Sequence, residues 1–259
     1  MSFLIQQEII EGNGLLLTIN RPEVYNALCY PLLTELKELV FQLYHSNLRI
    51  MIITGAGTKA FCSGADLKER DSMNDDQVLQ FIDTIRDTFQ LIANLPFPVI
   101  AAINGVAFGG GLELALACDL RLASEQAMLG LTEVALGIIP GAGGTQRLAR
   151  IIGPARAKEL IFTAARFTAR EGEKIGLINH VYKPEDLLPN ALGLAERIAQ
   201  HGPLAVRQAK TAINRGLNMS LDDALYWETS CYRQLINTAD RREGLTAFKE
   251  KRLPQFQGK

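Results

Sequence analysis

Apolar residues recur along the chain with two periods, one typical of strands and one typical of helices. Residues 15–19 and 49–54 are short apolar runs that predict strands, the second of them buried, and residues 5–10 favour a hairpin with the first. Between them, apolar side chains recur at helical spacing over residues 32–43, just after Pro31 at a permitted first-turn position. The chain therefore opens with an alternation of strand and helix, which is typical of α/β proteins.

The alternation continues to about residue 200. Helical patterns cover residues 75–94, 155–163, 171–176 and 187–199, and strand patterns cover residues 99–104 and 120–123. Beyond His201-Gly202-Pro203 nearly every residue favours helix, so we predict a core over residues 1–200, which holds the active site, and a helical region over residues 201–259. The apolar residues of that region must cover the core or another subunit: Leu217, Leu221, Leu225, Trp227, Tyr232, Leu235 and Ile236.

Charge and composition exclude several classes of protein. The 259 residues carry 27 basic and 28 acidic side chains, so no net field attracts nucleic acid. Four scattered cysteines and three isolated histidines predict reduced thiols and no metal site. Neither a leader pattern nor an apolar run of membrane-spanning length occurs, so we expect a cytoplasmic protein that does not bind membranes.

Three consecutive glycines, Gly109 to Gly111, separate an extended run from a helical one. Such a junction can expose the backbone amides at the start of a helix, and Glu113 returns to the face of Gly110 one turn later. A carboxylate beside an oxyanion site is a catalytic arrangement. The alternative is a turn that packs the helix tightly, with Glu113 compensating the helix dipole.

A loose Gly-x-Gly-x-x-Ala begins at Gly55, but the loop runs on to Asp66 instead of entering a helix, which disfavours a dinucleotide site. If strands 49–54 and 99–104 are parallel neighbours, the amides of Ala65 and Gly110 converge on one carbonyl oxygen. Residues 140–145 form another glycine-rich loop with free amides. Glu133, in an apolar neighbourhood, is either an acid–base group or a helix-start acid.

Together these segments resemble the crotonase superfamily, and in particular enoyl-CoA hydratases. The resemblance spans nearly the whole chain: Asn20-Arg21-Pro22, Asn26-Ala27-Leu28, residues 61–67, residues 109–119, Glu133, residues 140–148 and residues 240–252. It implies a crotonase-like (ClpP/crotonase) α/β spiral of β-β-α units, with C-terminal trimerisation helices and a homohexamer built as a dimer of trimers. It also implies that the amides of Ala65 and Gly110 hold a thioester oxygen while Glu113 and Glu133 handle water and a proton.

The resemblance implies further contacts with an acyl-CoA thioester substrate. Gly141 would lie beside the water, and no cofactor is implied, because coenzyme A is part of the substrate. The residues that would contact coenzyme A or the acyl chain are Val24, Tyr25, Ala27, Ser63, Asp66, Leu67, Arg70, Tyr232 and Lys251.

The sequence is compatible with several activities of this superfamily. The closest resemblance is to the methylglutaconyl-CoA hydratases, in which Arg70 would hold a second carboxylate; an exposed helix-start arginine is the alternative. An enoyl-CoA isomerase, a thioesterase or a non-catalytic RNA-binding homologue are further alternatives. Residues 35–47 contain one lysine, Lys37, so RNA binding is not expected.

Overall fold

The computed structural model describes residues 4–259, and ten strands and eleven helices lie within that part of the chain. The strands are β1 (Ile5–Ile10), β2 (Gly14–Ile19), β3 (Ile50–Gly55), β4 (Ala60–Cys62), β5 (Val99–Ile103), β6 (Val106–Phe108), β7 (Leu120–Ser124), β8 (Met128–Gly130), β9 (Phe167–Thr168) and β10 (His180–Tyr182). The helices as far as the predicted core boundary are α1 (Tyr30–Leu43), α2 (Leu67–Asp71), α3 (Asp75–Ala93), α4 (Gly110–Ala117), α5 (Gly144–Ile152), α6 (Pro154–Phe162), α7 (Ala169–Lys174) and α8 (Pro184–Ala199). Three more follow: α9 (Pro203–Gly216), α10 (Leu221–Arg233) and α11 (Ala239–Glu250).

The strands form two sheets that the chain visits in turn. The larger sheet has the order β1-β2-β3-β5-β7-β10 and is parallel apart from the β1–β2 hairpin. The smaller sheet has the order β4-β6-β8-β9, with only β8 and β9 antiparallel. Because β3, β5 and β7 each lead into β4, β6 and β8, the chain advances by one strand in both sheets at every turn. This is the predicted spiral.

Apolar side chains on both faces of the larger sheet are buried, as expected for parallel strands between covering layers. On one face, Ile50, Ile52 and Ile100 pack against Leu187 and the alanines of α8. On the other face, β3 and β5 share a core with α1, α3, α4 and the smaller sheet. The hairpin and the predicted strands and helices of the first 200 residues are confirmed, but the loop expected from Gly55 to Asp66 is wrong in part, because it contains β4.

The C-terminal helices α9–α11 are present where helix was predicted, and α9 is tied to the core by polar contacts. Lys210 Nζ donates to Asp119 Oδ2 at 2.7 Å and to the carbonyl oxygen of Phe97 at 3.0 Å. Arg207 donates to the carbonyl oxygen of Leu48 at 3.0 Å. Whether this region is a separate domain stays a prediction.

Many apolar side chains of α9 and α10 do not cover the core. Leu217 is 74% exposed, Leu221 75% and Tyr232 61%, while Trp227 and Leu235 are partly buried. These apolar side chains were predicted to cover either the core or another subunit. For the most exposed of them, the prediction that they cover the core is wrong. Across residues 4–259, the helices include none with the length and apolar character needed to cross a membrane.

Candidate active site

Two loops that leave the smaller sheet meet at Gly64 and Gly110. The strands β4 and β6 are parallel neighbours, so the loops that follow them emerge at the same edge. A Cβ added to Gly64 would stand 3.3 Å from the Gly110 nitrogen, and one added to Gly110 would stand 3.7 Å from the Gly64 Cα. Within residues 4–259, the N–H groups of Ala65 and Gly110 have no acceptor. Two free donors therefore lie on touching loops, as an oxyanion hole requires.

Each of the three consecutive glycines has its own structural reason. Gly109 has a φ of +49°, which disfavours side chains. A Cβ on Gly111 would overlap the carbonyl oxygen of Cys62, so this glycine lets α4 pack directly on β4. A Cβ on Gly110 would crowd the ends of the Ile85 and Leu28 side chains, at 3.2 and 3.3 Å, and would stand at ordinary contact distance from the Gly64 Cα. Packing therefore explains Gly111, whereas Gly110 keeps an amide without an acceptor, and the catalytic interpretation of that amide stays a prediction.

Partly buried hydrogen bonds join the loop of residues 21–28 to the loop after β4. Arg21 donates from Nη1 to the carbonyl oxygen of Ala27 at 2.6 Å and from Nη2 to Asp66 Oδ2 at 3.1 Å. The Ser63 amide donates to the carbonyl oxygen of Tyr25 at 3.0 Å. The structure thus brings together most of the residues expected to contact coenzyme A: Val24, Tyr25, Ala27, Ser63, Asp66 and Leu67.

Glu113 projects from α4 into the core and is 3% exposed. Its Oε1 accepts hydrogen bonds from the amides of Ala142 at 2.8 Å and Gly144 at 2.7 Å. Burial raises the pKa of Glu113, while these two bonds and the charge of Arg147 act in the opposite direction. The prediction that residues 140–145 present free amides is wrong for these two, because the glutamate occupies them.

Glu133 begins a 3-10 turn (Glu133–Leu136), so it is also a helix-start acid. Its Oε1 lies 3.1 Å from the point that a Cβ on Gly109 would occupy, which places the carboxylate against the glycine junction. Its Oε2 is buried and has no hydrogen-bond partner in the described chain. Burial first, and then the charge of Glu113, raise the pKa of Glu133 to about 7. The two carboxylates therefore lie close together in unequal environments.

Two amides without acceptors on touching loops, near a hydrogen-bonded carboxylate and an unpartnered one, suit acid–base chemistry at a polarised carbonyl. Comparison of the sequence with known families agrees, since the family described as enoyl-CoA hydratase/isomerase matches residues 10–259. The chain belongs to the enoyl-CoA hydratase/isomerase family.

Two relatives and one solved structure show how similar this chain is to proteins of the family. The Bacillus subtilis protein YngF, provisionally named as an enoyl-CoA hydratase/isomerase, is 55% identical over 244 residues, covering 94% of each chain. The mouse mitochondrial methylglutaconyl-CoA hydratase is 48% identical over 254 residues, 96% of this chain and 81% of the relative. The crystal structure of an enoyl-CoA hydratase from Bacillus anthracis is 49% identical and superimposes with a TM-score of 0.98, covering 99% of this chain and 100% of the other. These likenesses establish the crotonase fold.

The remaining predicted site residues divide into near and distant ones. Gly141 is exposed and precedes Ala142 in the loop that binds Glu113. Arg70, on α2, lies with its guanidinium carbon 5.4 Å from the centre of the Phe81 ring. Tyr232 lies on α10 and Lys251 at the end of α11, and neither hydrogen-bonds or ion-pairs with the glutamate site within residues 4–259.

Sequence reasoning missed the groups that hold Glu113. The amides of Ala142 and Gly144 bind its carboxylate, and Arg147 donates to the carbonyl oxygen of Ala142 at 2.9 Å. The glycine-rich loop was recognised as a source of amides, but it was not matched with an acceptor. A buried carboxylate that needs donors is the signal that could have linked the two.

Proposed function

We propose that the protein is an enoyl-CoA hydratase, which reversibly adds water across the 2,3 double bond of a 2-enoyl-CoA to give a 3-hydroxyacyl-CoA. The observation that carries the proposal is the contrast between its two neighbouring glutamates. Glu113 receives two amide hydrogen bonds and feels the charge of Arg147, whereas Glu133 has a buried oxygen without a partner. Burial raises the pKa of both glutamates, but only Glu113 has hydrogen-bond donors and a cation that favour its charged form, so we assign Glu113 as the base and Glu133 as the acid.

The oxyanion hole supplies the first part of the mechanism. When water attacks C3, negative charge develops on the thioester oxygen, and the amides of Ala65 and Gly110 are available to hold it. Removal of one such donor in other enzymes costs about 3–4 kcal/mol of transition-state stabilisation. No cofactor is needed in this step, and coenzyme A enters as part of the substrate.

The two glutamates complete the proton transfers. Ionised Glu113 takes a proton from the water, whose oxygen forms the bond to C3 while the C2–C3 π electrons move toward the thioester oxygen. Protonated Glu133 then gives its proton to C2 as the enolate collapses. Glu113 ends protonated and Glu133 ionised, and transfer of one proton between them restores the starting state. In this proposal Gly141, an exposed residue of the loop, lies beside the attacking water.

Turnover of crotonyl-CoA tests the proposal directly. Loss of the conjugated thioester absorbance together with formation of 3-hydroxybutyryl-CoA is the expected result. Free thiol without hydration would indicate a thioesterase, and migration of the double bond in a 3-enoyl-CoA without hydration would indicate an isomerase. We expect Glu113→Gln and Glu133→Gln each to lose at least about a hundredfold in kcat. Turnover near that of the wild type in either variant would refute the assigned roles.

A second candidate substrate, an enoyl-CoA with a carboxylate at the far end of its acyl group, is favoured by Arg70. Its guanidinium makes no ion pair within residues 4–259 and is held over Phe81 of α3. Ile85, one helical turn further along α3, lies beside Gly110. An acyl chain that starts at the oxyanion hole and follows α3 would therefore end near a free cation. The likeness to the mouse methylglutaconyl-CoA hydratase supports this substrate class.

A comparison of two substrates tests the role of Arg70. We expect Arg70→Met to lower kcat/KM for 3-methylglutaconyl-CoA by about tenfold to a hundredfold, because a charge-assisted pair is lost. Crotonyl-CoA, which has no second carboxylate, should be hydrated as before. Lys68→Met, on the same helix and exposed, is the matched control. An equal loss with both substrates would contradict a carboxylate-binding role.

We further propose that the protein is cytoplasmic and assembles as a homohexamer, a dimer of trimers. The exposed apolar side chains of α9 and α10 support the assembly, since a single chain leaves them in water. In such an assembly Tyr232 and Lys251 would reach the acyl or coenzyme A part of a substrate. Nucleic acid is not a proposed partner. Residues 35–47 contain a single lysine, Lys37, and its Nζ lies 3.5 Å from Asp87 Oδ2, so its charge is already paired.

A further inference from the structure

The loop that binds Glu113 is itself held by one arginine. Arg147, on α5, donates from Nη1 to the carbonyl oxygen of Ala142 at 2.9 Å. The Ala142 amide, on the other side of the same residue, donates to Glu113 Oε1 at 2.8 Å. A single arginine contact therefore fixes the residue that supplies one of the two hydrogen bonds to Glu113.

The shape of the loop is matched to this guanidinium. Gly143 lies between the two residues whose amides bind Glu113 and has a φ of +105°. A Cβ on Gly143 would overlap Nη1 of Arg147, so only glycine leaves room for the arginine. The guanidinium fills the space that a side chain of residue 143 would otherwise take.

Arg147 also supplies positive charge without an ion-pair partner. Its Nη2 donates to the neutral Gln90 side chain at 2.9 Å, and it makes no salt bridge within residues 4–259. Its charge acts on Glu113 across the loop. The other titratable groups that interact with this pair are Glu133, from the 3-10 turn, and Cys118, at the end of α4. The charge of Glu113 raises the pKa of Glu133, and Arg147 is the cation whose charge favours ionisation of Glu113.

We propose that Arg147 is a positioning residue for the hydration reaction: it holds residues 140–144 so that their amides aim the Glu113 carboxylate, and its charge keeps that carboxylate ionised. The inference rests on the proposed function, because it assigns to Glu113 the role of base. Arg147 acts through the loop and through Glu113, without contact with the substrate.

Three variants separate the two parts of this role. Arg147→Met removes the charge and both hydrogen bonds. Arg147→Lys keeps the charge but lacks the guanidinium that donates to two acceptors at once. Arg150→Met changes an exposed arginine of the same helix. We expect Arg147→Met to lose about tenfold to a hundredfold in kcat with KM within about twofold, since a misaimed base slows chemistry more than binding. Its acidic limb of kcat against pH should move to higher pH, because loss of a nearby cation raises the pKa of Glu113. Arg147→Lys should keep the acidic limb of the wild type, and Arg150→Met should match the wild type throughout.

A titration that does not depend on activity distinguishes this inference from the proposed function. The infrared carboxyl band of Glu113, assigned by its disappearance in Glu113→Gln, should titrate at higher pH in Arg147→Met than in the wild type. An unchanged midpoint in Arg147→Met, or an acidic limb that does not move, overturns the inference even if the enzyme is a hydratase. If the wild type does not hydrate crotonyl-CoA, the proposed function fails and the infrared midpoints still decide whether Arg147 keeps Glu113 ionised. Should Arg147→Met not fold, Arg147→Gln, which lacks the charge but keeps a donor, must show the same shift.

Discussion

Glu113 and Glu133 have the same chemical group and different surroundings, and their pH dependence should reveal it. If Glu133 is the acid that protonates C2, the free enzyme must carry its proton, and its pKa of about 7 sets the limit. We therefore expect kcat/KM for hydration of crotonyl-CoA to fall as pH rises through about 7. Dehydration of 3-hydroxybutyryl-CoA should fall over the same range, because it uses the same single proton of the glutamate pair, then on Glu113, and the equilibrium constant of hydration does not depend on pH. A hydration rate that stays level well above neutral pH would contradict the assignment.

The raised pKa of Glu133 also affects stability. A carboxylate whose folded pKa lies above its unfolded value contributes fully below the unfolded value and loses that contribution as pH rises through the folded one. For Glu133 this window runs from the ordinary 4.5 to about 7. Glu133→Gln cannot ionise, so relative to the wild type it should gain about 2 kcal/mol in unfolding free energy above the window, after a discount for partial exposure.

Urea unfolding at a pH below 4.5 and at a pH above 7 measures this difference. Below the window the two proteins should differ little, because Glu133 is protonated in both the folded and unfolded states. A constant difference across pH would show that the gain comes from packing and not from ionisation. Asp83→Asn, an exposed carboxylate on α3, serves as the control and should give no comparable gain.

At the scale of single residues, the sequence predicted groups whose chemistry is local and missed those that depend on distant chain. Ala65 and Gly110 each follow a recognisable glycine turn. Glu113 is one helical turn from Gly110, so for these two residues proximity in sequence indicated proximity in space. Arg147 lies 34 positions after Glu113, and its role depends on how the 140–144 loop folds back over α4. No spacing rule connects the two residues.

Helix α4 docks on β4 through a glycine, and two adjacent substitutions test this packing against catalysis. Gly111→Ala would force its Cβ into the Cys62 backbone, which cannot move aside, so we expect a loss of about 3 kcal/mol or more in unfolding free energy. Gly110→Ala would press only on the movable ends of Ile85 and Leu28, at 3.2 and 3.3 Å. It should fold and lose kcat, because the added methyl narrows the space beside the oxyanion hole.

Urea unfolding and crotonyl-CoA turnover, measured on both variants, separate the outcomes. Equal destabilisation by the two substitutions would mean that the whole glycine triplet serves packing. A stable Gly111→Ala would show that α4 can slide along β4, in which case the close approach of the two backbones is not required.

The smaller sheet is the element that sequence patterns did not reveal. Its strands β4, β6, β8 and β9 have three, three, three and two residues, too few to show a period of two. They are strands because parallel neighbours from successive turns of the spiral supply their hydrogen bonds. The strands of the larger sheet and the longer helices are predictable, since each is long enough for its apolar residues to show a strand or helix period. The loops that carry Ala65 and Gly110 leave from the smaller sheet, so they follow β4 and β6, whereas the sequence placed them after β3 and β5.

On the scale of the whole molecule, the C-terminal helices bind the core through α9 and expose apolar side chains from residue 217 onward. Lys210 and Arg207 fix α9 to the core, whereas Leu217, Leu221 and Leu225 are 74%, 75% and 51% exposed. A surface of this kind is stable in water when another copy covers it. We expect the wild type to sediment at six times the chain mass of 28.5 kDa.

Leu225→Arg places a charge in this surface without disturbing the core, because the side chain it replaces is half exposed. If the helices join subunits, sedimentation should show smaller species with unchanged far-ultraviolet circular dichroism. Activity should fall in the same preparation if Tyr232 or Lys251 of a neighbouring copy helps to bind the substrate, and KM should then rise more than kcat falls. Ile9→Arg, on the edge strand β1 and 73% exposed, is the matched control for a charge added to an exposed apolar position. An intact hexamer in Leu225→Arg, or equal dissociation in Ile9→Arg, would show that α10 is not the surface that holds the subunits together.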